Sequence, residues 1–334
     1  VKAELEPHIP TVLPRWWIAQ FDPRAEARQS AEKTLLATFP GRRINKALRL
    51  CHTPLFAELQ EIFESSPQTV VDIKAVEGLD VAKEMYERQV FCGLLALGGF
   101  LEKMVEVDKF DNGLRAGVGA LLEPAAFWKL AGSKFANIRL GFLKLMPVLC
   151  QHMTSAVDDN LDKVAPLILG AMSDQTANNY AAIWPAILQL VKTFPRAWAQ
   201  VDVRQVVLPR MCSCLRAAAY GSWAVTYPAV MPWLSTLPRS MVGFNLAAEM
   251  CNALWFPIAT GAVPSAAYQL IATAWAECAA HLIASSASAA TQSDSACLSD
   301  VDLNDWLALP PTKKPDGKPT PEQIEEARKM QWLQ

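Results

Sequence analysis

The chain has 334 residues, of which 51% are hydrophobic and 19% are charged, and its net charge at neutral pH is -2. This apolar content supports a large buried core and excludes an intrinsically disordered chain. The nearly balanced charge excludes a global basic field for nucleic acid but not local basic patches. Length alone predicts about two ordinary domains, although a repeat array grows by adding units and escapes that estimate.

The N-terminal segment predicts helices interrupted by prolines. Residues 5–18 are apolar and contain three prolines, and we interpret them as the second half of a repeat whose first half has been trimmed away. The tetrapeptide Val12-Leu13-Pro14-Arg15 recurs as Val207-Leu208-Pro209-Arg210, each time ahead of a helix–turn–helix pattern. Asp22 is predicted to cap the next helix, which should end at Pro40-Gly41.

The next stretch predicts helices of unequal length. Residues 42–64 indicate two helices with a break near Pro54, followed by a loop over residues 65–78. Residues 79–105 predict a long helix whose Gly98-Gly99 pair permits a kink or close packing. Residues 108–123 contain several glycines but neither a preceding strand nor the Lys-Ser/Thr ending of a phosphate loop. We therefore expect a turn and a short helix there.

A doubled unit follows a helix predicted over residues 135–153. Three proline positions recur 43 residues further on: Pro166 as Pro209, Trp184-Pro185 as Tyr227-Pro228, and Phe194-Pro195 as Leu237-Pro238. A period in the 40s with two helices per unit is typical of HEAT or armadillo repeats, because one hairpin cannot bury both apolar faces without stacking on a copy. No alternation typical of strands persists. The predicted fold class is all-α, a right-handed α-solenoid of HEAT/armadillo-like helical hairpins over residues 1–284.

The C-terminal part changes character. Residues 244–260 and 264–284 predict one more helical pair. Residues 285–320 are rich in Ser, Ala, Thr, Asp and then proline, and predict a linker or mobile loop. Residues 321–334 predict a terminal helix, with Thr320 at its start.

The sequence carries no recognisable catalytic or metal-binding motif. Its eight cysteines lack the Cys-x-x-Cys spacing of structural zinc sites, and we expect buried free thiols in a reducing compartment. Cys51-His52 and Cys150-x-His152 are close in sequence, but such neighbours diverge on a helix and do not form a nucleophilic dyad. No apolar run is long enough to span a bilayer, and no signal peptide opens the chain. We expect a cytosolic protein with no catalytic residue, no cofactor and no metal.

Aromatic and basic side chains are the candidates for partner contacts. Most of the eleven tryptophans fall on apolar helical faces and predict core packing, but Trp128 beside Lys129 is a candidate for an exposed anchor. Two basic groups either touch phosphate through charge and guanidinium forks or are solvated helix faces. They comprise Arg42, Arg43, Lys46 and Arg49, which share one helical face, and the looser set of Lys129, Lys134, Arg139 and Lys144.

Three blocks of residues carry a resemblance to a known family. The first is residues 13–20, Leu-Pro-Arg-Trp-Trp-Ile-Ala-Gln, with a helix ending at residues 37–40. The second is Phe127-Trp128-Lys129 with Ile138-Arg139 and residues 148–151, and the third runs from residues 182–184 through Trp198 to residues 237–238. In this order, over most of residues 1–240, the chain resembles the N-terminal region of the listerin family, RING-type E3 ubiquitin ligases of ribosome-associated quality control.

The resemblance implies a HEAT-like arm that acts on stalled 60S ribosomal subunits. In this family the N-terminal region docks near the factor that binds the exposed peptidyl-tRNA, and a C-terminal RING adds ubiquitin to the nascent chain. This sequence has no series of Cys and His pairs at RING spacing. Zinc, the E2 enzyme and ubiquitin transfer are therefore expected only of the parent protein's absent RING. No catalytic residue is carried over, and Phe127, Trp128, Lys129 and Arg139 are contact candidates.

The leading hypothesis is thus a docking module whose partners are the 60S subunit, through ribosomal RNA and proteins, and the peptidyl-tRNA-binding factor, with no membrane involved. A generic HEAT scaffold that binds a protein unrelated to the ribosome is the main alternative. Whether the two basic groups merge into one surface separates these hypotheses. A helical enzyme, the third class, would need a pocket with a buried Cys–His or carboxylate pair.

Overall fold

The computed structural model describes residues 6–69, 78–107, 110–238, 241 and 244–290. These residues form helices joined by turns, and none of them lies in a strand, which confirms the all-α prediction. The helices are α1 (Ile9–Ala19), α2 (Ala25–Thr38), α3 (Arg43–Leu50), α4 (His52–Glu64), α5 (Leu79–Glu106), α6 (Asn112–Leu122), α7 (Ala125–Lys129), α8 (Ala136–His152), α9 (Thr154–Asp158), α10 (Leu161–Gly170), α11 (Tyr180–Thr193), α12 (Leu208–Arg216), α13 (Trp223–Leu234), α14 (Phe244–Ala259) and α15 (Tyr268–Ala290). The compact unit that they build extends to Ser286.

Longer helices pack on one another in chain order. Helix α5 packs on α8, α8 packs on α11, and α11 packs on α13, while α12 packs on α14. Large apolar side chains such as Phe100, Phe142 and Trp184 are almost completely buried along this succession. Each helix therefore covers the apolar face that its predecessor leaves open.

The close approach of α1 and α5 depends on a glycine. A Cβ atom on Gly99 would lie 2.7 Å from Cζ of Phe21, a distance that side chains do not tolerate. Nearby, the indole Nε1 of Trp17 donates a hydrogen bond of 3.0 Å to the carbonyl oxygen of Ala96. The Gly98-Gly99 pair thus serves close packing, one of the two roles predicted for it.

Asp22 does not cap α2, contrary to the prediction. The helix begins at Ala25, after Arg24, and its N-cap receives no side-chain hydrogen bond. Asp22 instead accepts hydrogen bonds from the backbone N–H of Arg24 at 2.8 Å and from Nε of Arg88 at 2.9 Å. A carboxylate that is 6% exposed needs a cation to offset its desolvation, and the α5 guanidinium supplies one.

The two copies of the doubled unit have their helices at corresponding positions. Helix α10 continues as a 3-10 turn, Ala171–Ser173, whereas α12 is preceded by a π-helical turn, Val203–Val207. The second helices, α11 and α13, begin at Tyr180 and Trp223, which are again 43 residues apart. The proline period therefore corresponds to a period in helix starts.

Buried phenol groups close the end of each first helix in the doubled unit. Tyr180 Oη donates to the carbonyl oxygen of Met172 at 2.9 Å, and Tyr227 Oη donates to that of Leu215 at 3.1 Å. Met172 and Leu215 are 43 residues apart, so equivalent carbonyls are satisfied although the tyrosines are not equivalent. Carbonyls at the end of a helix lack the i+4 partner that interior carbonyls have.

The helical pair predicted at residues 244–260 and 264–284 corresponds to α14 and α15, and its second helix ends later than predicted. Helix α15 extends to Ala290, so the first six residues of the predicted linker at 285–320 are helical. The rest of that linker and the predicted helix at 321–334 lie outside the described residues. Within the described segments, no helix is both long and apolar enough to cross a bilayer.

Candidate functional site

The Phe127-Trp128 pair lies in the core. Each side chain is 1% exposed, and the centroid of the Phe127 ring is 5.3 Å from that of Phe63. The indole Nε1 of Trp128 donates a hydrogen bond of 2.7 Å to the carbonyl oxygen of Leu122, the last residue of α6. The expectation that Trp128 is an exposed anchor is therefore wrong, and neither ring offers surface to a partner. Lys129 is exposed.

The first basic group forms an exposed face on α3. Its basic members are all exposed, whereas Ile44 and Leu48 on the opposite side are buried. Leu50, at the end of the helix, is 73% exposed. The face therefore combines charge with one exposed apolar side chain. Its basic members are Arg42, Arg43, Lys46 and Arg49.

One member of this face is engaged within the chain. Arg49 Nη2 lies 2.7 Å from Oδ2 of Asp111, whose Oδ1 accepts a hydrogen bond from the backbone N–H of Leu114 and caps α6. The Leu114 N–H and the Arg49 guanidinium lower the pKa of Asp111. Arg42, Arg43 and Lys46 form no ion pair with any described carboxylate.

The second basic group is not a uniform surface. Lys134 and Lys144 are exposed, and the Lys134 ammonium lies 5.2 Å from the centroid of the Phe135 ring. Arg139 differs, because its Nε and Nη2 lie 2.8 and 2.9 Å from the two carboxylate oxygens of Asp174. Its Nη1 also donates to the carbonyl oxygen of Ser133 at 2.9 Å. Arg139 therefore orders two turns of the fold and is the least available member of its group.

Asp174 is the acceptor at the centre of this arrangement, with a side chain that is 7% exposed. Besides Arg139, it accepts hydrogen bonds from Nδ2 of Asn179 at 2.8 Å and from the backbone N–H of Thr176 at 2.9 Å. Burial acts to raise the pKa of Asp174, but these hydrogen bonds outweigh it and lower the pKa to about 2. The carboxylate is ionised at neutral pH and fixes the turn between α10 and α11.

The Arg139–Asp174 pair forms one wall of an open groove of about 520 Å³. It is lined by the turn after α7, by helices α8, α10 and α12, and by the turn after α10, and its lining includes Gly132, Leu167, Thr176 and Arg210. We call it the Arg210 groove, because Arg210 reaches across from α12 to the end of α10. A separate groove of about 620 Å³ lies between α6 and α9.

Arg210 has no counter-charge within the described part of the chain. Its side chain is exposed, and no described carboxylate lies within ion-pair distance. A Cβ atom on Gly170 would lie 2.5 Å from Nη1 of Arg210, so the guanidinium rests directly on the helix backbone. In the sequence alone, Arg210 is only the last residue of a repeated tetrapeptide, and no local pattern places it in a site.

The remaining candidates for chemistry are clusters of metal-ligating side chains and the cysteines that have a histidine nearby in sequence. No group of three or more His, Cys, Asp or Glu side chains in the described part of the chain could hold a metal ion. Burial raises the pKa of Cys51, and it raises that of Cys150 to about 12, so neither is an activated thiolate. The neighbouring His52 ring uses Nδ1 in a 2.7 Å hydrogen bond with the Arg49 carbonyl oxygen, and its Nε2 lies 3.4 Å from Oγ1 of Thr53. The described cysteines are free, and all but Cys251 are buried, as predicted.

Comparison with known proteins decides the family. The family described as "E3 ubiquitin-protein ligase listerin, N-terminal domain" matches residues 1–237. The chain belongs to the listerin family. The match ends just after α13, the last helix of the doubled unit, so α14 and α15 of this listerin-family chain lie beyond it.

Similar curated proteins carry the same name. A sequence named E3 ubiquitin-protein ligase listerin from Xenopus tropicalis is 29% identical over 243 residues, which are 72% of this chain and 14% of that protein. Its Mus musculus counterpart is 28% identical over 244 residues, and the one from Drosophila melanogaster is 20% identical over 249, with the same shares. This listerin-family chain thus spans about a seventh of their length. No solved structure matches it.

Proposed function

We propose that this chain is the N-terminal docking module of an E3 ubiquitin ligase that acts on stalled 60S ribosomal subunits in the cytosol. The observation that carries the proposal is the match of residues 1–237 to the listerin N-terminal domain. Its role is to position the ligase, through contacts with the 60S subunit and with the factor that binds the exposed peptidyl-tRNA. Ubiquitin transfer, E2 binding and the zinc of a RING belong to the parent ligase, since no RING motif occurs in this sequence.

The proposed architecture is a HEAT-like α-solenoid. Two features support it, namely the packing of successive helices in chain order and the 43-residue period in helix starts. Arrays of this kind present helix ends and turns as binding surfaces while their stacked cores stay rigid. A rigid arm suits a protein that must span a distance on a large particle.

The exposed face of α3 is the proposed contact with ribosomal RNA. Arg42, Arg43 and Lys46 are exposed and have no counter-charge among the described residues. Free cations of this kind release counterions when they meet phosphates, which makes binding strong at low salt and weak at high salt. By contrast, Arg139 is committed to Asp174 and makes at most a small contribution.

Co-sedimentation with purified 60S subunits tests the proposal. The full 334-residue chain would be mixed with empty subunits and with subunits carrying peptidyl-tRNA and its binding factor, across a series of salt concentrations. We expect enrichment on the tRNA-bearing, factor-bound subunits. Absence of association under every condition would contradict ribosome docking and would favour a HEAT-like scaffold for another protein.

A matched pair of variants separates specific docking from general charge attraction. The first replaces Arg42, Arg43 and Lys46 with glutamine and should lose most of the association. The second replaces Lys33, Lys163 and Lys192, three exposed lysines outside both basic groups, with glutamine and thus removes the same charge. Equal losses in the two variants would contradict a specific role for α3.

A further inference from the structure

The Arg210 groove contains two guanidinium groups in different states. Arg139 is saturated, because Asp174 and the Ser133 carbonyl oxygen accept its hydrogen bonds. Arg210 lies in the same groove, is exposed and has no carboxylate partner among the described residues. Since Arg139 and Asp174 neutralise each other, the described lining carries one uncompensated positive charge.

The position of Arg210 is set by the backbone that it rests on. Gly170 ends α10, and the absence of a side chain there lets Nη1 of Arg210 approach to within 2.5 Å of the place a Cβ would occupy. The same guanidinium lies near the carbonyl end of α10, where positive charge is favourable. The Arg210 guanidinium therefore lies at the edge of the groove, and no described side chain accepts a hydrogen bond from it.

The other side of the groove is apolar. Leu143 forms a buried floor, while Pro166 and Leu167 are exposed on α10, and Leu167 is 37% exposed. A Cβ on Gly132, which also lines the groove, would lie 3.2 Å from Leu167, so these two lining residues are in close contact. The amide of Gln175 is exposed and makes no hydrogen bond to the described chain.

We propose that the Arg210 groove binds an extended peptide segment of a partner protein. A carboxylate of the peptide pairs with the Arg210 fork, and an adjacent apolar side chain packs on Pro166 and Leu167. Gln175 is placed to hydrogen-bond the peptide backbone. The inference does not depend on ribosome docking, because it uses none of the residues of the α3 face.

The lining favours a peptide over single-stranded RNA. RNA grooves combine several cations along the backbone path with exposed aromatic rings on which bases stack. The described lining of the Arg210 groove offers one unpaired cation and no aromatic side chain. One charged anchor beside an apolar wall instead matches a short acidic and apolar motif.

The test uses the full chain and a defined set of fluorescent nine-residue peptides. One set carries a central Leu-Glu pair, the second carries Leu-Gln, and the third ends in a leucine with a free carboxylate. Fluorescence anisotropy gives the dissociation constants. A single-stranded RNA nonamer and a phosphoserine version of the first peptide are measured in parallel.

Dissociation constants of single-residue variants show which residue contributes to peptide binding. Arg210→Gln should weaken the binding of the Leu-Glu peptide about tenfold, the typical worth of one charge-assisted fork. Gly170→Ala should weaken it as well, because the new methyl group displaces the guanidinium. Arg216→Gln is the matched control, since Arg216 is an exposed arginine on the same helix and does not line the groove.

Binding of Leu-Glu but not Leu-Gln peptides, lost in Arg210→Gln and kept in Arg216→Gln, would support the proposal. Preference for the third set would assign the carboxylate to a chain terminus and support it in that form. Equal binding of both central pairs, no binding of any peptide, or an Arg210 dependence confined to RNA or phosphoserine would overturn it. Because these readouts are affinities of a folded protein, circular dichroism of each variant accompanies them.

Discussion

At the scale of single residues, the described ion pairs differ in how much they contribute to stability. Arg139 and Asp174 are 23% and 7% exposed, whereas Arg24 and Glu84 are 62% and 67% exposed. Exposed pairs contribute ~0–1 kcal/mol, while breaking a largely buried pair by removing one partner costs ~3 kcal/mol or more. Asp174 is therefore the carboxylate whose ionisation matters most in the doubled unit.

Asp174 should make the stability of the protein sensitive to acid. Its pKa is about 2 in the folded state, against 3.8 as the ordinary value. A carboxyl group with a lowered folded pKa stabilises the fold above the unfolded pKa, and this contribution is lost as pH falls through the folded pKa. We expect urea unfolding to show roughly 2 kcal/mol of loss from this group between about pH 4 and pH 2.

Two variants isolate this effect. Asp174→Asn should be less stable than the parent at pH 7 and should show a flatter dependence on pH below about 4. Asp162→Asn removes an exposed carboxylate on α10 that makes no hydrogen bond to the described chain, and should keep the parental profile. A parental pH profile in Asp174→Asn would refute the assignment.

At the scale of elements, helices meet where side chains are small. Helix α6 contains three glycines, and two of them, Gly117 and Gly119, have opposite surroundings. A Cβ on Gly117 would lie 2.8 Å from Cε2 of Phe56 on α4, while a Cβ on Gly119 would have no neighbour within 4 Å. The first glycine permits contact between α4 and α6, and the second only weakens the helix.

Alanine at these two positions should therefore change stability in opposite directions. Gly119→Ala should stabilise the fold by ~0.5–1 kcal/mol, because alanine is the better helix former. Gly117→Ala should destabilise it by ~1–3 kcal/mol, because the ring of Phe56 must move in a packed core. Chemical denaturation of both variants provides the comparison, and two changes of the same sign would contradict the packing described here.

A buried hydrogen bond couples the two copies of the doubled unit. Nε1 of Trp184 donates to Oγ1 of Thr226 at 3.1 Å, and the two residues are 2% and 0% exposed. Thr226→Val keeps the shape but leaves the indole N–H without an acceptor, which should cost ~1–3 kcal/mol. Thr273→Val, at an exposed position of α15, should change stability by less than ~0.5 kcal/mol.

A double-mutant cycle with Trp184→Phe measures the coupling. If the hydrogen bond links α11 and α13, the double variant should be more stable than the sum of the single effects predicts, by ~0.5 kcal/mol or more. Simple additivity would show that the two side chains stabilise the fold independently.

At the scale of the whole molecule, the net charge and the charge of the α3 face have opposite signs. The chain carries a net charge of -2, yet Arg42, Arg43 and Lys46 form an exposed basic face on α3. Screening over about 10 Å at moderate salt makes a local face more important than the distant net charge. The salt dependence of binding should therefore report the number of cations in contact, whatever the total charge.

If the α3 face touches ribosomal RNA, the slope of log affinity against log salt concentration should be negative. Replacing Arg42, Arg43 and Lys46 with glutamine should make that slope shallower by about 2 to 3, because each lost phosphate contact removes about 0.7–0.9. Equilibrium binding to 60S subunits at four or more salt concentrations gives the slope. An unchanged slope in this variant would place the RNA contact elsewhere.

The sequence by itself determined the helical class, most helix positions and the 43-residue period. These features depend on local periodicity and on prolines, which act over a few residues and are visible without the fold. It also determined that Arg42, Arg43, Lys46 and Arg49 share one face, because helical spacing alone sets that relation.

Only the tertiary structure decided which side chains are exposed and unpaired, and therefore available to contact a partner. Asp22 meets Arg88 across 66 residues and Arg139 meets Asp174 across 35, and no local pattern records such pairs. Trp128 is buried because rings from other helices, such as Phe142 of α8, pack against it. Arg210 lies at the end of α10 only because α12 packs there. Its neighbour Gly170 has a recognisable role only where the two helices meet. Burial and charge pairing are properties of neighbours in space, and those neighbours exist only in the folded chain.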